Sequence, residues 1–459
     1  MEQITKPHCG ARLDRLPDCR WHSSMFAIVA FGLLVCWSNA VGGLILAQLK
    51  ALGWTDNSTT ATFSAITTAG MFLGALVGGI IGDKTGRRNA FILYEAIHIA
   101  SMVVGAFSPN MDFLIVCRFV MGVGLGALLV TLFAGFTEYM PGRNRGTWSS
   151  RVSFIGNWSY PLCSLIAMGL TPLISAEWNW RVQLLIPAIL SLIATALAWR
   201  YFPESPRWLE SRGRYQEAEK VMRSIEEGVI RQTGKPLPPV VIADDGKAPQ
   251  AVPYSALLTG VLLKRVILGS CVLIAMNVVQ YTLINWLPTI FMTQGINLKD
   301  SIVLNTMSMF GAPFGIFIAM LVMDKIPRKT MGVGLLILIA VLGYIYSLQT
   351  SMLLITLIGF FLITFVYMYV CYASAVYVPE IWPTEAKLRG SGLANAVGRI
   401  SGIAAPYAVA VLLSSYGVTG VFILLGAVSI IVAIAIATIG IETKGVSVES
   451  LSIDAVANK

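Results

Sequence analysis

Apolar runs of about twenty residues alternate with short polar connections along nearly the whole chain. A hydrocarbon core about 30 Å thick needs about 20 apolar residues at helical rise. Windows of that length fall near 24–46, 59–82, 89–107, 112–139, 147–171, 181–199, 265–290, 299–323, 329–347, 351–378, 386–413 and 417–440. The pattern predicts an all-α integral membrane protein with twelve transmembrane helices. The connections alternate in charge as well. Lys84, Arg87 and Arg88, then Arg143, Arg145 and Arg151, then Lys325, Arg328 and Lys329, then Lys387 and Arg389 fall on one side, against Lys50, Arg181 and Lys299 on the other. By the positive-inside rule both termini are expected in the cytoplasm.

The one long polar interruption, 200–264, divides the spans into six and six. Five domains are therefore expected: a cytoplasmic tail at 1–23, an N-terminal six-helix half at 24–199, a cytoplasmic linker at 200–264, a C-terminal half at 265–440 and a cytoplasmic tail at 441–459. In the linker, Ser205-Pro206 reads as an N-cap followed by proline in the first turn, and Gly213 and Gly228 are expected to end short helices. The halves repeat. Asp83-Lys84 with Arg87-Arg88 recurs as Asp324-Lys325 with Arg328-Lys329, Glu138 and Pro141 as Glu380 and Pro383, and Pro203-Glu204-Ser205 as Ile441-Glu442-Thr443. Three motifs in one order at nearly the same offset, about 240 residues, predict two pseudo-symmetric halves.

Composition sharpens this. The chain is 56% hydrophobic and only 12% charged, unlike a soluble domain. Its net charge of +9 lies in short clusters between apolar runs rather than on one face, which argues against nucleic acid. Cys36, Cys117, Cys163, Cys271 and Cys371 sit inside apolar runs, and Cys9 and Cys19 share a polar tail without metal-ligand spacing. No Walker loop, dinucleotide fingerprint, zinc spacing or nucleophile elbow occurs, so neither enzyme, cofactor nor metal is expected. The sequon Asn57-Ser58-Thr59 has meaning only in a secretory eukaryote.

Together, Gly82 to Arg88, Arg118 with Gly122, Gly124 and Gly126, Glu138 through Gly146, Pro203 through Leu209, Pro379-Glu380 with Pro383, and Arg389-Gly390 resemble the major facilitator superfamily. The resemblance is strongest to its sugar porters and to metabolite and organic-acid porters. It implies alternating access, with the halves rocking about a central site. It also implies a cytoplasmic gating network of Asp83, Arg87, Arg88, Glu138, Arg145, Glu204 and Arg207, repeated in Asp324, Arg328, Glu380, Arg389 and Glu442. Because Pro327 replaces a glycine and Ile441 a proline, the second network is expected to be looser.

Gly70, Gly74, Gly78 and Gly82 recur every four residues and form a ridge that lets a neighbouring helix approach closely, whether as a moving contact or as static packing. Charges within spans are expensive unless they face a cavity or a partner. Arg399 follows Arg389 by about ten residues, about 15 Å at helical rise, which puts it near the middle of the bilayer. It resembles the eleventh-helix arginine of organic-anion members and is the leading substrate residue, the alternative being an arginine that holds helix ends. Asn277, Gln280, Tyr281 and Asn285 offer an amide-rich face on the seventh helix that suits hydroxyls or a carboxylate, and Asn39 joins them. Trp286-Leu287-Pro288 is expected to end that helix. Tyr367, Tyr369, Tyr372 and Trp382 either line a cavity or pack.

Arg118 resembles the family arginine that cooperates in proton coupling. The first-helix aspartate common in sugar and organic-acid porters is replaced here by the stretch Cys36-Trp37-Ser38-Asn39-Ala40. Glu95 and His98 share a face of the third helix. They are either titrating coupling residues or a cytoplasmic-end salt-bridge partner and a packed neutral imidazole. The expected function is secondary transport of a small polar metabolite (a sugar acid, another small carboxylate, or a sugar or polyol) across an inner membrane, by a proton-coupled monomer. The alternatives are an uncoupled facilitator and a non-transporting receptor.

Overall fold

The computed structural model describes residues 7–17, 19–141, 145–240, 253–323, 325–382 and 386–444. Asp324 lies outside the described residues, as do Arg143 and Pro383, and so do the side chains of Arg145 and Lys387. Among those described, nine helices are long and apolar enough to cross a membrane, from Asn57–Thr85 to Arg389–Ile439. Three local features turn nine into twelve spans. The first span is split into Arg20–Val35 and Gly42–Ala51, and the fifth into Arg145–Asn157 and Ser159–Leu170. The last two spans run as one helix, Lys387–Ile439, divided at Gly417, whose φ of 65° and ψ of −160° suit a residue without Cβ. Apolar side chains such as Leu76, Val116, Ile189, Leu353 and Ile431 are left exposed, where lipid would cover them.

Two expected helix ends are not ends. The seventh span runs through Pro288 as Gly260–Thr293. Pro288 has no N–H to give the carbonyl of Ile284 one turn earlier. That carbonyl lies instead against Gly43 of the first span, where any Cβ would collide with it. In the linker, Gly228 lies inside the helix Tyr215–Thr233, which ends at Gly234 with φ 64°. The buried stripe Ala218, Met222, Ile225 and Val229 continues past Gly228 and carries the helix with it. Ser205 caps Pro206–Ser211 as expected, accepting from Trp208 N at 3.2 Å.

The chain forms two compact units. One comprises Met1–Asn39, Gly70–Ser159 and Leu184–Gly246, the other Ala40–Ala69, Tyr160–Gln183 and Lys247–Lys459. Neither coincides with a sequence half, because the second unit takes the ends of spans 1, 2, 5 and 6 remote from the charged loops. Within it, Asn57 Nδ2 donates to Ser414 Oγ at 2.9 Å and Asn305 Nδ2 to Ser164 Oγ at 3.2 Å. The rings of Tyr160 and Tyr367 meet at 5.3 Å between centroids.

Within the first unit the glycine ridge sets the packing. A Cβ on Gly70 would strike the Phe119 carbonyl, one on Gly74 the Val123 backbone, and one on Gly78 the Ala127 Cα. Gly82 is ordinary by comparison, with Thr131 Oγ1 at 3.6 Å. The second unit repeats the device. Gly311 and Gly315 on the eighth span press on the backbone of Phe360 and Thr364 on the tenth.

Candidate functional site

The charged loop is assembled by helix ends that need partners. The third span starts at Arg87, and its first N–H groups have no carbonyl a turn earlier to bond. Glu204, at the end of the sixth span, supplies one acceptor for both: Arg87 N donates to its Oε1 at 2.7 Å and Arg88 N at 3.3 Å. The carboxylate also meets the positive end of the helix dipole. Gly86, at φ 96°, is required here because a Cβ would run into that carboxylate. The Arg87 guanidinium donates to Asp83 at 2.7 Å and to Glu138 at 2.9 Å. The Asp83 carboxylate is 64% exposed and Glu138 only 20%, so most of the energy of this cluster lies in the Glu138 arm. Ser205 donates its hydroxyl to Glu138, and Trp208 Nε1 donates to the Asp83 carbonyl at 2.7 Å. Trp208 was not expected in the cluster. Arg207 was, but it turns away to Asp14 of the tail at 3.0 Å.

The second copy is not looser. Arg328 grips Glu380 in two places, Nε to Oε2 at 3.0 Å and Nη2 to Oε1 at 3.1 Å, and a third nitrogen donates to the Met323 carbonyl. Glu442 caps the ninth span, accepting from Arg328 N at 2.8 Å and Lys329 N at 3.1 Å. Burial alone pushes the Glu442 carboxyl up, but the N–H groups of Arg328, Lys329 and Lys444 outweigh it and hold the group below its ordinary range. Pro327 is compatible because its φ of −55° suits the residue before a helix. The Arg389 guanidinium lies over the Tyr254 ring, 5.2 Å from its centroid.

The tail also joins the linker. Cys9–Asp14 forms a helix whose Cys9 and Leu13, with Leu16, are buried against Trp208, Met222 and Val229. Arg12 pairs with Glu219 and, at 2.7 Å, with Glu226, and Arg15 reaches Glu226 at 2.7 Å. Burial pushes the Glu226 carboxyl up, but hydrogen bonds from Arg12 and Arg15 outweigh it and leave it below its ordinary range. A carboxylate lowered by docking stabilises the docked state above its undocked pKa, and that stability is lost as pH falls through the lowered value. Amide protection in Cys9–Asp14, corrected for intrinsic exchange, is therefore expected to drop about tenfold per pKa unit of that lowering on acidification. Unchanged protection in hydrogen exchange would contradict the assignment.

A second group in the first unit is sealed from water. Glu95 and His98 are both fully buried, and Arg118 is 1% exposed. This excludes a salt bridge at the membrane surface for Glu95. The unexpected element is the break in the first span at 36–41, which leaves carbonyls outside any helix. Arg118 Nη1 donates to one of them, Ser38 O, at 2.6 Å. The Ser38 hydroxyl lies 2.7 Å from His98 Nε2, and His98 Nδ1 lies 3.5 Å from Glu95 Oε2. Asn39, in the same break, is half-buried.

In the second unit, Arg399 is half-buried, and its Nη1 is sealed from solvent with no hydrogen-bond partner among the described residues. Its neighbours in sequence bring the eleventh span onto the seventh. A Cβ on Gly398 would press on Leu273 and Asn277, and one on Gly402 on Tyr281. Asn277 is buried and donates to its own helix, Nδ2 to Leu273 O at 2.7 Å. Gln280 and Tyr281 are half-buried and Asn285 is buried. Tyr367, Tyr369, Tyr372 and Trp382 are all buried, and Tyr369 donates to Val272 O at 3.1 Å. Arg265, buried and donating to Ile381 O at 3.0 Å, was not anticipated; it holds the seventh span to the end of the tenth.

Twelve spans, charge clusters capping corresponding helices in each half and cations held within the spans define a membrane transporter rather than an enzyme. The chain belongs to the major facilitator superfamily, whose sequence profile matches residues 25–406. It is 44% identical to the inner membrane metabolite transport protein YdjE of Escherichia coli, over 98% of this chain and 99% of that one. It is 25% identical to the niacin transporter NiaP of Acinetobacter baylyi, over 96% of this chain and 99% of that one. Among solved structures, the inward-open xylose transporter XylE of E. coli matches with a TM-score of 0.74 at 16% identity, covering 94% of this chain and 99% of that one.

Proposed function

We propose that the protein is a proton-driven symporter of a small carboxylate, working by alternating access in an inner membrane with both termini cytoplasmic. The observation that carries the substrate class is the half-buried Arg399 guanidinium, whose Nη1 is sealed from solvent and unbonded among the described residues. A cation held inside the bilayer without a counter-charge is costly and calls for an anion. The fork of a guanidinium matches a carboxylate, and amides of the seventh span, which the eleventh touches at Gly398 and Gly402, suit the remaining hydroxyl or ring groups. Two relatives support the reading: YdjE is named as an inner membrane metabolite transporter, and niacin, the compound named for NiaP, is itself a carboxylate.

The clusters around Arg87 and Arg328 act as cytoplasmic latches that bias one state without locking it, since partly exposed pairs contribute about 1 kcal/mol each. An uncoupled facilitator of a sugar or polyol is the second reading, favoured by the absence of an acid from the stretch Cys36 to Ala40. A thermal-shift screen of the purified protein against sugar acids, aromatic and aliphatic carboxylates, neutral sugars and polyols separates them. Saturable stabilisation by carboxylates is expected. Stabilisation by neutral sugars alone would favour the facilitator.

A further inference from the structure

We propose that Glu95 and His98 form the proton-binding site of the transporter, and that Ser38 reports its occupancy to the break in the first span. This rests on the proton-driven reading above and gives the proton a place.

Three observations converge. Glu95 Oε1 is buried and has no hydrogen-bond partner among the described residues, so the ionised carboxylate is incompletely satisfied in a sealed site. His98 is placed to share a proton with it, Nδ1 lying 3.5 Å from Oε2. The backbone that carries His98 is held against the fourth span, where a Cβ on Gly124 would come within 2.9 Å of the His98 backbone N. Among the described residues, other spans bring toward the pair Cys36 on the first, which packs against Ala90, Tyr94, Ala127 and Leu128, and Arg118 on the fourth, which reaches the pair through Ser38. From the second span, the Gly78 carbonyl accepts from Tyr94 at 2.8 Å.

The proton balance follows from the side chains. With one proton on the imidazole and the carboxylate ionised, His98 Nδ1–H points to Glu95, and Nε2 accepts from the Ser38 hydroxyl. A proton taken from water on one side of the membrane forms either a second imidazole N–H bond or the carboxylic O–H bond. The cluster with Arg118 thereby rises from neutral to a charge of +1, which favours an anion in the same protein. If the proton is on Nε2, the Ser38 hydroxyl can no longer donate there and must turn and accept. On release the N–H or O–H bond breaks and the proton leaves to water on the other side. Ser38 is well placed to transmit the change, since its carbonyl holds Arg118 and it stands in the non-helical stretch 36–41, where the chain passes from one compact unit to the other at Asn39. Discontinuous spans are where transporters bind ions and move.

The test is infrared difference spectroscopy of the protein in reconstituted membranes, perfused at stepped pH without substrate, with the proton as the only ligand. Acidification is expected to produce a carboxylic C=O band that shifts in Glu95→Asp and disappears in Glu95→Gln, with its midpoint moved by about one pH unit or more, a tenfold change in proton affinity, in His98→Gln. If Glu95→Gln does not fold, the Glu95→Asp shift decides. A spectrum with neither this band nor an imidazolium ring band that is lost in His98→Gln, or a band unmoved by substitution of the residue it is assigned to, overturns the assignment. Because substrate is absent, the outcomes separate. Wild-type protein that shows the band but no gradient-driven uptake contradicts the symport reading, whereas gradient-driven uptake with the band unmoved contradicts this site alone.

Discussion

Arg399→Ala is expected to abolish uptake while leaving the protein in the membrane at normal abundance. Nothing among the described residues bonds its sealed Nη1, so the truncation breaks no identified hydrogen bond of that nitrogen and should be tolerated by the fold. A buried charged contact to a ligand carboxylate is worth about 2–5 kcal/mol, which corresponds to about 30-fold or more in affinity. Arg399→Lys keeps the charge but loses the fork, and should fall between wild type and alanine. Uptake normalised to the amount of protein in the membrane checks this. Normal uptake by Arg399→Ala would remove the residue from the substrate site.

Gly74→Ala is expected to be among the most damaging single methyl groups in the first unit, alongside Gly126→Ala, whose Cβ would meet the Met71 backbone. A Cβ on Gly74 would meet the Val123 carbonyl, C and Cα, none of which can rotate aside, so the second and fourth spans would have to separate. Overpacking of this kind costs about 1–3 kcal/mol and more where backbone is the obstacle. Gly79→Ala, a few positions on, meets nothing within 4 Å and gains helix propensity, so it is the matched control. Gly74→Ala should lose several degrees in thermal midpoint, and Gly79→Ala none. Equal behaviour of the two would show that the ridge is not the contact described.

The sequence carried the architecture because its signals are local and physical: apolar runs as long as a bilayer is thick, charges biased to alternate loops, and motifs repeated at nearly the same offset. Asp83, Arg87, Glu138 and Glu204 were legible as a group for the same reason, and geometry adds that Glu204 acts by capping a helix. Other features depend on contacts distant in sequence. The break at 36–41 contains no proline to announce it, and its carbonyl is paired by Arg118 from another span. Pro288 looked like a terminus, yet the helix continues with the Ile284 carbonyl lying against Gly43. The tail reads as merely polar, although Cys9 and Leu13 lie one turn apart on a short helix and are buried together with Leu16 just beyond it. Arg207 was assigned to the latch by its motif, and its partner, Asp14, lies in that tail.

Proton movement accompanying substrate tests the central claim most directly. Proteoliposomes containing a trapped pH-sensitive dye should acidify inside when a carboxylate identified by the thermal screen is added outside, with no pH gradient imposed beforehand. The acidification should require the protein, saturate with the carboxylate and vanish in Arg399→Ala. Saturable entry of the labelled carboxylate with no change in internal pH would contradict proton symport.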